Sequence, residues 1–264
     1  MATSERASQH TFIGVSALLF AGSAAITIGW CMSMSATGDM PMPGGWAMSA
    51  AWTRMPEQTW AGAAASFLGM WIVMMVPMML PSLAPKLWRF RQEVARSGEA
   101  RLGRLTALAA AGYFGVWTVF GIAAFPLGAL LAAIEMRQPA LARAVPAVVG
   151  MVVVMAGSFQ LTAYKARQLA CCAEISVRAG AVSADAGSAW RHGVRLGLLC
   201  GRCCVNLMIV QLVIGVMDLR VMAAVTAAIT VERLAPVGGV VARVIGTVAV
   251  AGGVLLVARA AWLG

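Results

Sequence analysis

The chain has 264 residues, of which 61% are hydrophobic and only 11% charged, against about 45–50% and about 25% in a soluble domain. That balance excludes a soluble enzyme and assigns the excess apolar residues to membrane spans of about 20 residues each. The net charge of +10 falls mostly between the apolar runs, as lysine and arginine do in cytoplasmic loops, so it does not point to nucleic acid.

The first apolar run, Thr11 to Trp30, is longer than a signal-peptide core of about 7–15 residues and reads as a retained span. A small-residue site near Ser35-Ala36 is the alternative of cleavage. Residues 32–60 form a loop rich in Met, Gly, Pro and Trp, with Asp39, Arg54 and Glu57 as its charges. A second span runs from about Ala61 to Leu83. Residues 86–104 are then strongly basic, with Lys86, Arg89, Arg91, Arg96, Arg101 and Arg104 against Glu93 and Glu99. The third span is about Leu105 to Ile134 and the fourth about Ala144 to Ala163. A second basic stretch covers residues 165–193. The fifth span is about Val194 to Val216, the sixth about Leu219 to Leu234 and the last about Val241 to Trp262.

The expected fold is therefore all-α, a polytopic transmembrane helix bundle of about seven spans, six being possible, in a single transmembrane domain over residues 1–264. Both basic loops fall on one side under this count. The positive-inside rule places them and the N-terminus in the cytoplasm, so the Met-rich loop is external and the membrane is a bacterial inner membrane. No internal repeat suggests a transporter with two related halves.

Sulfur is the unusual feature, with 18 methionines and 6 cysteines. In the external loop Met32 and Met34 make one M-x-M pair, and Met40 and Met42 make another. In an extended backbone each pair shares a face, so it can offer two thioethers to one ion. Thioether sulfur is soft and selects Cu(I) over hard cations. The competing reading is a loop whose methionines rest on the membrane or on partner helices. Met70, Met74 and Met78 are spaced by four and stack along one helical face of the second span, beside Met75, Met79, Pro77 and Pro81. This stripe is either a sulfur-lined path or ordinary packing. Its depth suggests Met74 and Met78 as neighbours of the cysteines in the fifth span.

In that fifth span Cys200, Cys203 and Cys204 lie at helical offsets that share a side, with Met208 one turn further on. Three thiols and a thioether suit Cu(I), and less well zinc or an iron–sulfur centre. The alternative is that cysteine packs as a small apolar residue. Arg202 beside them is expected to snorkel or to pair with an acid. Cys171-Cys172 could complete a site with another segment. Gln160, Thr162 and Asn206 are expected to bond across helices, and Glu232-Arg233 reads as an ion pair or interface anchor. The two histidines, His10 and His192, lie outside the expected spans, which argues against a bis-His haem.

Several blocks resemble one family. They are Met-Pro-Gly-Gly-Trp (42–46), Met-Trp-Ile-Val-Met-Met-Val-Pro-Met-Met-Leu-Pro-Ser (70–82), Phe-Gln-Leu-Thr-Ala-Tyr-Lys (159–165), Cys-Gly-Arg-Cys-Cys-Val-Asn-Leu-Met (200–208) and Glu-Arg-Leu-Ala-Pro (232–236). The chain resembles the uncharacterised bacterial family of predicted metal-binding integral membrane proteins along nearly its whole length. It departs from the pattern at Pro77, Ala163, Arg202 and Val205. The resemblance implies metal binding without naming the metal.

The leading expectation is a protein that handles Cu(I), either as a transporter or by delivery to a copper-dependent enzyme or metallochaperone. No ATP-binding P-loop is present. The alternatives are a redox or electron-transfer membrane protein using the cysteines, and a structural or assembly subunit of a membrane complex. The sequence does not decide whether the protein is an enzyme, and the balance is against it.

Overall fold

The computed structural model describes residues 2–37, 40–43, 46–54, 58–96, 101–175 and 185–263. Asp39, Met55, Glu57 and Glu99 lie outside the described residues, as do 176–184 of the second basic stretch. The described residues form helices α1 (Ala2–Thr37), α2 (Trp60–Arg96), α3 (Leu102–Arg137), α4 (Pro139–Gln160), α5 (Ala163–Ile175), α6 (Ala186–Gly215), α7 (Leu219–Leu234) and α8 (Gly238–Leu263). Between α1 and α2 stand two short strands, β1 (Met40–Met42) and β2 (Trp46–Met48), paired as an antiparallel hairpin.

Six of these helices, α1, α2, α3, α4, α6 and α8, are long and apolar enough to cross a membrane. Their outward faces are apolar too, with Leu18, Val119, Met155 and Val248 all exposed. The expected sixth span is α7, whose 16 residues cover about 24 Å at 1.5 Å per residue, short of a hydrocarbon core of about 30 Å. It still crosses the bundle. Met217, just before it, touches Cys31 of α1, and Glu232 near its end bonds Gln160 at the end of α4.

The two basic stretches are more helical than expected. Leu87, Phe90 and Val94 are buried at helical spacing, so α2 keeps an apolar face to pack as far as Arg96. In the second stretch α5 forms, and α6 starts at Ala186 with Asp185 as its N-cap. Ser188 donates its backbone N–H to the Asp185 carboxylate at 2.9 Å, which holds that exposed carboxyl below its ordinary range.

The rings of Phe12 of α1 and Trp88 of α2 meet in a tilted contact at 5.4 Å, so α1 begins beside the end of α2. We call this the basic end and the opposite one the hairpin end. Helices α3 and α6 run parallel, since Gly112 meets Trp190 and Val194 while Phe120 meets Gly201. Helices α4 and α8 run antiparallel and close. A Cβ on Gly246 would lie 2.7 Å from the Gly157 carbonyl oxygen, and one on Gly253 would lie 2.8 Å from that of Gly150. Only glycine allows backbones to approach so nearly, as small residues do at membrane helix interfaces. The core lies between α2, α3, α6 and α7.

Candidate functional site

Helix α2 supplies the first component. Met70, Met74, Met75, Met78 and Met79 are all buried, so its methionines face the core rather than the outside. Pro77, Pro81 and Pro85 lie within the same helix and remove three backbone donors. The Ser82 hydroxyl donates to the Met79 carbonyl at 3.1 Å. Trp71 donates its indole N–H to the Trp117 carbonyl at 2.8 Å, which locks α2 against α3.

Helix α6 supplies the thiols. Cys200, Cys203 and Cys204 are each fully buried, and Met208 is buried one turn further on. The cysteines divide into two pairs. Cys200 and Cys204 place their sulfurs 3.7 Å apart, whereas the Cys203 thiol turns towards α5. There it lies 3.5 Å from the Gln168 carbonyl and hydrogen-bonds to Cys172. Cys172 is buried and its neighbour Cys171 is exposed. The helical offsets put the three α6 thiols on one side, but successive residues still differ by about 100°, and α5 takes up the difference.

The methionine that meets this pair is Met79, whose Sδ lies 3.9 Å from Cys200 Sγ. Sequence spacing pointed instead to Met74 and Met78. Met79 is one residue round from their stripe, on the side of α2 that faces Cys200.

Cys200 is also held by two donors. The Tyr113 hydroxyl donates to its sulfur at 2.9 Å, and Arg233 Nη1 donates at 2.8 Å while also reaching Ser82 Oγ at 2.9 Å. A cation and a hydroxyl both donate to this one sulfur, which fixes its position between α3 and α7. Arg233 does not pair with its neighbour Glu232, as the sequence suggested. Glu232 instead pairs with Lys165 of α5 at 2.6 Å, with both side chains out of solvent. Gln160 donates to its second oxygen at 3.1 Å, and Lys165 also donates to the Cys203 carbonyl. In sequence Lys165 opens the second basic stretch, yet in the fold its side chain is buried. The legible signal was an acid at the end of an apolar span, which calls for a cation.

Asn206 bonds across helices to the Ala156 carbonyl at 3.4 Å, while Thr162 bonds locally to Phe159. Arg202 lies on the exposed face of α6, away from the thiols.

At the hairpin end the two M-x-M pairs differ. Met40 and Met42 lie on β1, opposite Met48 and Trp46 respectively, so all four share one face of the hairpin. Met32 and Met34 do not share a face. The expected loop begins later, because α1 continues to Thr37, and residues two apart on a helix point to nearly opposite sides. Met32 is exposed, and Met34 packs against the core.

Among the described residues no three His, Cys, Asp or Glu side chains converge on one point. A soft-metal site here therefore draws on methionine as well as cysteine. Two sulfurs bound to one ion at about 2.3 Å, with angles of 109–120°, stand about 3.8–4.0 Å apart. The Cys200–Cys204 and Cys200–Met79 separations of 3.7 and 3.9 Å fit such an ion.

The model of one protein family, described as PpoB2, copper chaperone, matches residues 68–256. The chain belongs to this family. The matched part of this PpoB2 family member takes in the whole α2 methionine face, Cys171, Cys172 and the α6 sulfurs, and it leaves out α1 and the hairpin. No curated protein and no solved structure matches the chain.

Proposed function

We propose that this chain is an integral membrane protein of the inner membrane that receives Cu(I) as cargo and delivers it to a copper-dependent partner enzyme. The observation that carries the reading is the buried contact of Cys200 with Met79 and Cys204, at 3.9 and 3.7 Å, in a member of a copper chaperone family. Thiolate and thioether sulfur together select Cu(I) over hard cations. Arg233 and Tyr113 hold Cys200 ready for a soft cation. The buried face of Met70, Met74 and Met78 extends from this contact towards the hairpin, where Met40 and Met42 offer thioethers to an incoming ion. Over Met70 to Met79 that face is about 13 Å long at 1.5 Å per residue. The Cys172–Cys203 pair lies beyond the contact as further ligands for the outgoing ion, and Met208 lies one turn of α6 nearer the hairpin end.

The test is competition between the purified, reduced protein and a Cu(I) chelator, with Zn(II) as the contrast. The expected result is tight Cu(I) retention and weak Zn(II) retention. Cys200→Ser with Cys204→Ser should weaken Cu(I) binding by more than about 100-fold, beyond the 10–100-fold usual for outer-shell changes. Preferential Zn(II) retention would overturn the metal, and unchanged affinity in the double variant would return the sulfurs to a packing role.

A further inference from the structure

Cys31 is the one cysteine of the chain that stands apart from the α5 and α6 thiols. It lies on α1, outside the residues matched by the family. It is buried, at 2% exposure, and its Sγ lies 3.9 Å from the Sδ of Met217 in the turn between α6 and α7. This is the same pairing of a thiol and a thioether, at the same separation, as Cys200 with Met79. The two contacts belong to opposite regions of the molecule. One is at the hairpin end and the other lies among the α2, α6 and α7 residues near Lys165.

A third sulfur is close at hand. Met34 follows Cys31 by three residues on α1, so the two share a helical face, and Met34 turns towards the core of the bundle. Negative charge is present too. Asp218 follows Met217 directly in the same turn and supplies a carboxylate there. It is held in place by the backbone N–H groups of Arg220 and Val221, at 2.8 and 3.0 Å. A carboxylate in the same turn as the thioether attracts a cation, and the sulfurs decide that the cation is soft.

We propose that Cys31, Met34 and Met217 form a second Cu(I) site at the hairpin end, a receiving site distinct from the one at Cys200. The inference takes from the proposed function only that Cu(I) is the cargo. The site needs no other part of the α6 cluster. Its ligands come from α1 and the α6–α7 turn, so loading it ties the first helix to the remainder of the bundle.

The experiment is metal analysis of the full chain in lipid nanodiscs, loaded with Cu(I) under reducing conditions and then challenged with a Cu(I) chelator. Met34→Leu with Met217→Leu nearly preserves volume and apolarity, and should retain one ion fewer per chain than the unsubstituted protein. Cys31→Ser should do the same. Cys200→Ser with Cys204→Ser should lose a different ion, and all these changes together should lose both. Circular dichroism and size-exclusion elution compare the folds, and the leucine pair carries the test if Cys31→Ser fails to fold. Unchanged retention in the leucine pair overturns the proposal, whatever the α6 variant does. Loss in the leucine pair beside unchanged retention in the α6 variant would keep the receiving site and overturn the Cys200 site instead.

Discussion

Glu232 and Lys165 meet at 2.6 Å with neither side chain in contact with solvent, and the surrounding polar atoms are arranged to make that tolerable. Gln160 and the Cys203 carbonyl take up part of the remaining hydrogen-bonding capacity. Taking one partner from a buried ion pair leaves an uncompensated charge, at a cost of about 3–5 kcal/mol. Glu232→Gln is therefore expected to destabilise the bundle by about that amount, read as lower resistance to denaturant in detergent. Lys165→Met with Glu232→Leu should recover most of the loss, because it removes both charges and keeps similar volume. If Glu232→Gln is as stable as the unsubstituted protein, the pair does not hold α5 to α7. The same residues position the thiols. Lys165 bonds the Cys203 carbonyl, and Arg233, next to Glu232, reaches Cys200.

At the scale of elements, α2 is the helix on which the proposed path depends. It buries five methionines on the core side over two and a half turns, and its three prolines follow at four-residue spacing from Pro77 to Pro85. Leucine and methionine differ little in volume, and such swaps in a packed core cost less than about 1.5 kcal/mol. Met74→Leu with Met78→Leu should accordingly leave thermal stability nearly unchanged while slowing copper transfer to an acceptor. Following Cu(I) appearance on an external chelator after loading would measure it. Equal transfer rates in the variant and the unsubstituted protein would assign the stripe to packing alone. The thioether that meets Cys200 is Met79, so Met79→Leu should lower affinity at that site rather than rate along the path.

Across the whole molecule, basic side chains gather at one end. Lys86, Arg89, Arg91 and Arg96 close α2, Arg101 and Arg104 open α3, and Arg191 and Arg195 open α6. Under the function proposed above, the positive-inside rule predicts that this end faces the cytoplasm. Reporter fusions after Thr53 and after Arg101 should then report opposite compartments, with Thr53 outside. Both reporters on one side would sink the topology.

The helical class of this protein and the positions of its long apolar elements follow from the sequence alone, because a helix of some 20 apolar residues satisfies its own backbone whatever surrounds it. The Met and Cys blocks were equally legible, since residue type fixes the softness of a ligand. Pairing was not. The choice of Met79 over Met74 and Met78, the turning of Cys203 towards Cys172, and the partners of Glu232 and Arg233 all depend on how each helix is rotated about its axis. That rotation is set by close contacts such as Gly112 on Trp190 and Gly246 on Gly157, between residues far apart in the chain. Periodicity along one helix says which residues share a face, but only the neighbouring helices decide what that face meets.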